Sequence, residues 1–132
     1  MRWETWDEQF VFLHRTQLIA AQCSGTFLLA KLGLSGKKPA CADSTSKPWV
    51  QAAGINVLNQ AFFAQGNLAT AGGCLSAQYI SAWMIARLKG IAEAREVLHY
   101  FAPVGEKDAY VARALSHVQA NLREPSVVAA QV

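Results

Sequence analysis

An apolar run, Leu18 to Ala21, ends at the small polar turn Gln22-Cys23-Ser24-Gly25, and a second apolar segment, Thr26 to Leu32, follows at once. A buried strand that meets a helix through so tight a turn is the joint of an α/β layer fold, and it restricts this chain more than any other feature. A side chain on such a turn projects from the C-terminal edge of the sheet, where open α/β sheets place their sites. That side chain is Cys23.

The rest of the chain is consistent with strands alternating with helices. Trp3, Trp6, Phe10 and Leu13 recur at helical steps, with acids early and His14-Arg15 late, which predicts an amphipathic helix before the strand. Beyond Gly33 and Gly36, the stretch 39–42 predicts a short strand. The polar stretch Asp43 to Pro48 predicts a loop entering a helix that ends near Ala53, with Ser46 as N-cap and Pro48 in the first turn. Ile55 to Leu58 is strand-like. Ala61 to Ala64 and Leu68 to Ala71 flank Gln65-Gly66-Asn67 as a hairpin. Helices are predicted from about Leu75 to Lys89, where Gly90 stops the first, then from Ile91 or Ala92 to about Tyr100, and over Lys107 to Leu122. Residues 123–132 form a flexible tail in this reading. The expected fold is α/β with a mostly parallel sheet plus a β-hairpin.

Composition narrows the function classes. With 52% hydrophobic and 16% charged residues, the 132-residue chain is too apolar for a disordered tail. Its length suffices for one domain with a core that needs no disulfide or metal staple. A net charge of +3, with Lys37-Lys38 as the one adjacent basic pair, gives no nucleic-acid footprint. Three cysteines without a CxxC pair or a metal-ligand spacing to histidine give neither a zinc site nor a secreted disulfide framework. The expectation is a cytoplasmic protein without metal or cofactor. Glu4, Asp7 and Glu8 stand where a signal peptide would be apolar, and no run of about 18 apolar residues offers a membrane span.

Cys23 has two readings from position alone. It is either a small buried hydrophobe, or a thiol whose thiolate is stabilised by the free N–H groups and positive end of the following helix, titrating below the ordinary value of about 8.5. Cys41 and Cys74 fall at or just after predicted strand ends, on the same sheet edge. They are either partners of Cys23 in a redox pair or separate small core residues. Asp43 reaches that edge too, and a carboxylate there raises a thiol's pKa unless it shares the proton. His14, His99 and His117 all fall on predicted helices, none at a strand end. The aromatic residues, at helical or strand spacings, are read as core or interface.

These residues resemble a known family. Leu18-Ile-Ala-Ala-Gln-Cys-Ser-Gly-Thr-Phe-Leu-Leu-Ala30, then Gly33-Leu34 with Gly36-Lys37-Lys38, and later Gly66-Asn67-Leu68 with Thr70-Ala71-Gly72-Gly73, look like the ThiJ/PfpI superfamily. The nearer likeness is to isonitrile-hydratase-like members and to sensor domains of AraC-type regulators, over roughly Thr5 to Pro103. The resemblance implies a flavodoxin-like α/β sandwich, usually dimeric. It places a nucleophilic or redox-sensitive cysteine at Cys23, with the Ser24 backbone N–H facing an oxyanion and Cys41, Asp43, Gly72, Gly73 and Cys74 as neighbours. In the family an acidic residue faces the cysteine and a glycine-rich loop helps to build the oxyanion pocket. Both belong to a segment that would precede Met1. The family's histidine position falls at Ala42, followed by Asp43.

The resulting expectation is a truncated domain over residues 1–122 that serves as a binding, redox-sensing or assembly module without complete catalytic machinery. Its expected partners are a second copy, in a dimer, and a small-molecule ligand. One alternative is a cysteine-dependent hydrolase or hydratase completed by a partner chain or second protomer. Another is the ligand-sensing domain of a transcriptional regulator.

Overall fold

The structure, a computed structural model, describes residues 17–122. The predicted helix over 3–14 and the tail over 123–132 lie outside them. The described chain runs β1 (Ile19–Gln22), α1 (Gly25–Lys31), α2 (Lys47–Ala52), β2 (Phe62–Gln65), β3 (Leu68–Ala71), a 3-10 turn (Cys74–Ser76), α3 (Ala77–Lys89), α4 (Ile91–Phe101) and α5 (Lys107–Leu122).

The sheet has the order β1-β3-β2. β1 lies parallel to β3, with Gln22 opposite Ala71, and β2 lies antiparallel to β3, with Gln65 opposite Leu68. The sheet is therefore mixed, not mostly parallel, because the hairpin supplies one of its two pairings. Gly66 makes that hairpin tight. Its φ of 64° falls in the left-handed region while Asn67 stays outside it, the arrangement of a two-residue turn with glycine first. Arg87 on α3 holds the turn from outside, donating to Gly66 O at 2.8 Å and to Asn67 Oδ1 at 2.7 Å.

β3 is buried on both faces. Ala69 and Ala71 join a core with Phe62 and Ala64 of β2, Ala82, Trp83 and Ala86 of α3, Leu98 of α4 and Val118 of α5. The buried positions of α3 fall three and four apart, which is how one helix stripe meets a sheet. Strand alternation turns Thr70 the other way, toward a smaller cluster of Ala40, Val50 and Ile55 that Phe27 and Ala30 of α1 flank.

The predicted strands at 39–42 and 55–58 shrink to a single parallel bridge between Ala40 and Val57. Pro39 has no N–H to extend a ladder. At Cys41 the peptide is claimed by side chains: its N–H donates to Thr70 Oγ1 and its carbonyl accepts from Thr26 Oγ1, both at 2.7 Å. The helix boundaries otherwise follow the sequence closely. Gly90, at φ 104°, separates α3 from α4, and Ala102 is extended ahead of Pro103. Among the described residues, no helix is long and apolar enough to cross a membrane.

Candidate functional site

Because β1 and β3 are parallel, both end at the same edge of the sheet. Cys23 follows β1, and Gly72-Gly73-Cys74 follow β3. The Cys23 N–H donates to Ala71 O at 2.8 Å, which carries the ladder one residue past the strand. Cys23 then turns into the left-handed region at φ 55°, alone among the described non-glycine residues. Such backbone is disfavoured for a side-chain-bearing residue and clusters at functional sites.

The thiol of Cys23 meets Gly73 and Cys74. Burial pushes it above its ordinary range, the Gly73 N–H pulls it down, and the charge and hydrogen bond of the Cys74 sulfur, with the more distant charge of Asp43, push it up again. The net direction is upward, opposite to the lowered thiol that a helix N-terminus predicts. Burial is the largest cause of that direction. Two of the amides at the start of α1 are also engaged by the backbone, Thr26 N–H donating to Cys23 O at 3.2 Å and Phe27 N–H to Ser24 O at 3.0 Å. Ser24 itself is exposed.

The three cysteines separate clearly. Cys74 is exposed and touches Cys23, whereas Cys41 is fully buried between Thr26 and Thr70 and leaves the edge to its neighbours. Burial pushes the Cys41 thiol up to about 11, against the Thr70 hydrogen bond. The folded state thus favours the neutral thiol, so the stability it contributes is complete below pH 9 and disappears as pH rises through about 11. Urea unfolding should register a loss of about 2 kcal/mol across that window. An identical alkaline loss in Cys41→Ala would overturn the assignment.

Asp43 comes to the edge beside Gly72, whose backbone lies against that of Ala42. It also folds back onto the turn that leads into α2. Ser46 makes no side-chain cap. Its hydroxyl instead bonds the Asp43 carboxylate and, ahead of backbone N–H groups at 43, 45 and 46, holds that carboxyl below its ordinary range against burial. The second oxygen, Oδ1, is buried without a partner. It belongs to a residue lining a polar cleft of about 470 Å³ with Ser44, Lys47, Asn59, Gln60 and Gly73. Lys47, Asn59 and Gln60 carry no signal in the sequence, since isolated polar residues beside a turn read as solvated surface.

The remaining groups do not converge on this edge. His99 is exposed on α4, and His117 on α5 stacks with Tyr79 at 4.5 Å between ring centroids. Among the described residues, no group of three or more His, Cys, Asp or Glu is placed to hold a metal ion. The arrangement offers two adjacent thiols, one donated backbone N–H, and a carboxylate and an ammonium across a neighbouring cleft.

No family model and no curated protein matches the chain. Among solved structures, Schizosaccharomyces pombe DJ-1 is similar at 20% identity, and two mutants of it with one threonine replaced are similar at 19%. Each comparison has a TM-score of 0.43 and covers 75% of this chain and 44% of the other. The chain therefore spans less than half the length of these structures.

Proposed function

We propose that the chain is a ThiJ/PfpI-like domain, part of a flavodoxin-like α/β sandwich, that binds a small polar molecule and does not use Cys23 as a hydrolytic nucleophile by itself. The left-handed Cys23 between β1 and α1, with Gly72 and Gly73 alongside, supports the family reading. The cleft of Asp43, Ser44, Lys47, Asn59 and Gln60 supports the binding role, because it offers both a hydrogen-bond acceptor and a cation to one ligand.

One feature carries the catalytic part of this reading: burial and the groups around the Cys23 thiol, Cys74 and Asp43, raise it against the Gly73 N–H, and neither a cation nor a paired base is among them. A cysteine hydrolase needs the reverse, a thiol lowered by a cation or paired with a base. Iodoacetamide labelling of the native chain, followed residue by residue by peptide mass spectrometry, tests it. Labelling of Cys23 should be slow near about pH 6 and should still be rising above about pH 9. Rapid, stoichiometric labelling near about pH 6 would falsify the reading and favour the enzyme completed by another chain.

A further inference from the structure

The two thiols at the sheet edge differ in access. Cys74 is exposed and Cys23 is half-buried. They leave the same edge of the sheet, Cys23 one residue past the end of β1 and Cys74 three past the end of the β3 strand paired with it. The backbone beneath them is tied at three points, by the Cys23 N–H to Ala71 O at 2.8 Å and by the Gln22 side-chain amide to Gly73 O at 3.2 Å and Cys74 O at 3.0 Å. Neighbouring parallel strands run about 4.8 Å apart, so the cysteines that follow their ends leave one fixed edge side by side, the placement a disulfide of about 2.05 Å requires.

We infer that Cys74 is the entry point for a hydroperoxide and Cys23 the resolving thiol, so that the pair closes into a reversible intramolecular disulfide. This assigns the first chemistry to the cysteine after β3, not to the one at the elbow, and it rests on the reading of Cys23 as an unactivated thiol. Oxidation by peroxide needs a thiolate that the oxidant can reach, and access selects Cys74. Its thiolate attacks the peroxide oxygen: an S–O bond forms, the O–O bond breaks, and the departing hydroxide takes up a proton as water. Cys74 is then a sulfenic acid and the peroxide has been reduced.

Cys23 next attacks the sulfenyl sulfur beside it. The S–S bond forms, the S–O bond breaks, and hydroxide leaves with the proton of the Cys23 thiol as a second water. Two thiols and one peroxide thus give one disulfide and two waters. The first step prepares the second, because oxidation removes the Cys74 thiolate charge that opposed ionisation of Cys23 and leaves the Gly73 N–H in place to favour it. Proximity makes up for a small thiolate fraction. Cys41, fully buried, takes no part. The cross-link joins the end of β1 to the turn after β3 and so fixes Gly73, which lines the polar cleft.

The test treats the 132-residue chain with hydrogen peroxide at neutral pH. Free thiols should fall from three to one, a non-reducing peptide map should link residue 23 to residue 74, and dithiothreitol should restore all of them. In Cys23→Ser, dimedone should trap a sulfenic acid on Cys74. In Cys74→Ser, modification of Cys23 should be at least about tenfold slower at the same dose. Survival of every thiol, a disulfide that includes Cys41 or a second chain, or a stable sulfenic acid on Cys74 in the unsubstituted chain would overturn this inference alone. A sulfenic acid trapped first on Cys23 would overturn it together with the reading of Cys23 as unactivated.

Discussion

Gly72→Ala is expected to lower stability by about 3 kcal/mol, on the order of 10 °C in Tm. A Cβ at position 72 would stand 2.5 Å from Ala42 O, 3.0 Å from Ala42 C and 3.3 Å from Ala42 N. All three are backbone atoms, so no flexible side-chain end can swing aside. The 40–42 segment cannot retreat freely either, because Thr70 and Thr26 hold both sides of the Cys41 peptide. Nor can Gly72 withdraw without loosening its own N–H bond to Ala61 O. Relief therefore breaks at least one buried hydrogen bond, worth about 1 kcal/mol, on top of the overpacking. Cys41 should become reactive toward aromatic disulfide reagents as the segment lifts. Gly73→Ala tests a different effect: its nearest neighbour is Ser76 Oγ at 3.7 Å, so it meets no clash and costs only the backbone strain of φ 89° with ψ 140°, about 1–3 kcal/mol. A Gly72→Ala protein that melts with the parent would refute the close approach of these two backbones.

Where a residue pattern has only one physical solution, the fold was legible in the sequence. The apolar stripe of α3, the stops at Gly90 and Pro103 and the hairpin at Gly66-Asn67 are local, and local chemistry decided them. The strands expected at 39–42 and 55–58 show where this fails. Their apolar content suits a ladder, yet Thr26 and Thr70, distant in sequence, supply hydroxyls that replace it at Cys41. The mixed sheet has a similar cause. Alternating strands and helices imply parallel neighbours, but a hairpin at the end of that series adds its antiparallel strand to the same sheet.

For the candidate site, order along the chain identified Cys23 and the glycine pair, because strand ends on one edge follow from topology. The choice between Cys41 and Cys74 did not follow, since both stand at or beyond an apolar run. The structure separates them by burial: the peptide of Cys41 is locked beneath the edge, while the turn through Gly73 at φ 89° brings Cys74 back against Cys23. Between the two readings of Cys23 the sequence could not choose, because burial of the thiol depends on residues distant in the chain. Ser46 likewise caps nothing: its hydroxyl bonds the Asp43 carboxylate, which the turn over 44–46 folds back onto the amides ahead of α2.

Trp83→Ala should be of comparable or greater effect, lowering stability by about 3–5 kcal/mol, a large share of the roughly 5–15 kcal/mol that holds a domain together. Trp83 is fully buried in the cluster that joins β2 and β3 to α3, α4 and α5. Its ring also lies beneath the Arg87 guanidinium, 5.3 Å from the centroid, and that guanidinium clamps Gly66 and Asn67. Removing the indole thus leaves a cavity in the core and takes away the surface on which the hairpin clamp rests. The indole also carries a penalty, because Nε1 is buried with no hydrogen-bond partner. Leaving a buried donor unsatisfied costs about 1–3 kcal/mol. Trp83→Phe keeps an aromatic face under Arg87 and removes that donor, so its net loss should be no more than about half that of Trp83→Ala. Urea unfolding of the two variants separates the contributions. Trp83→Phe as damaging as Trp83→Ala would refute this account, since the phenyl ring fills most of the cavity, relieves the N–H and keeps a face under Arg87.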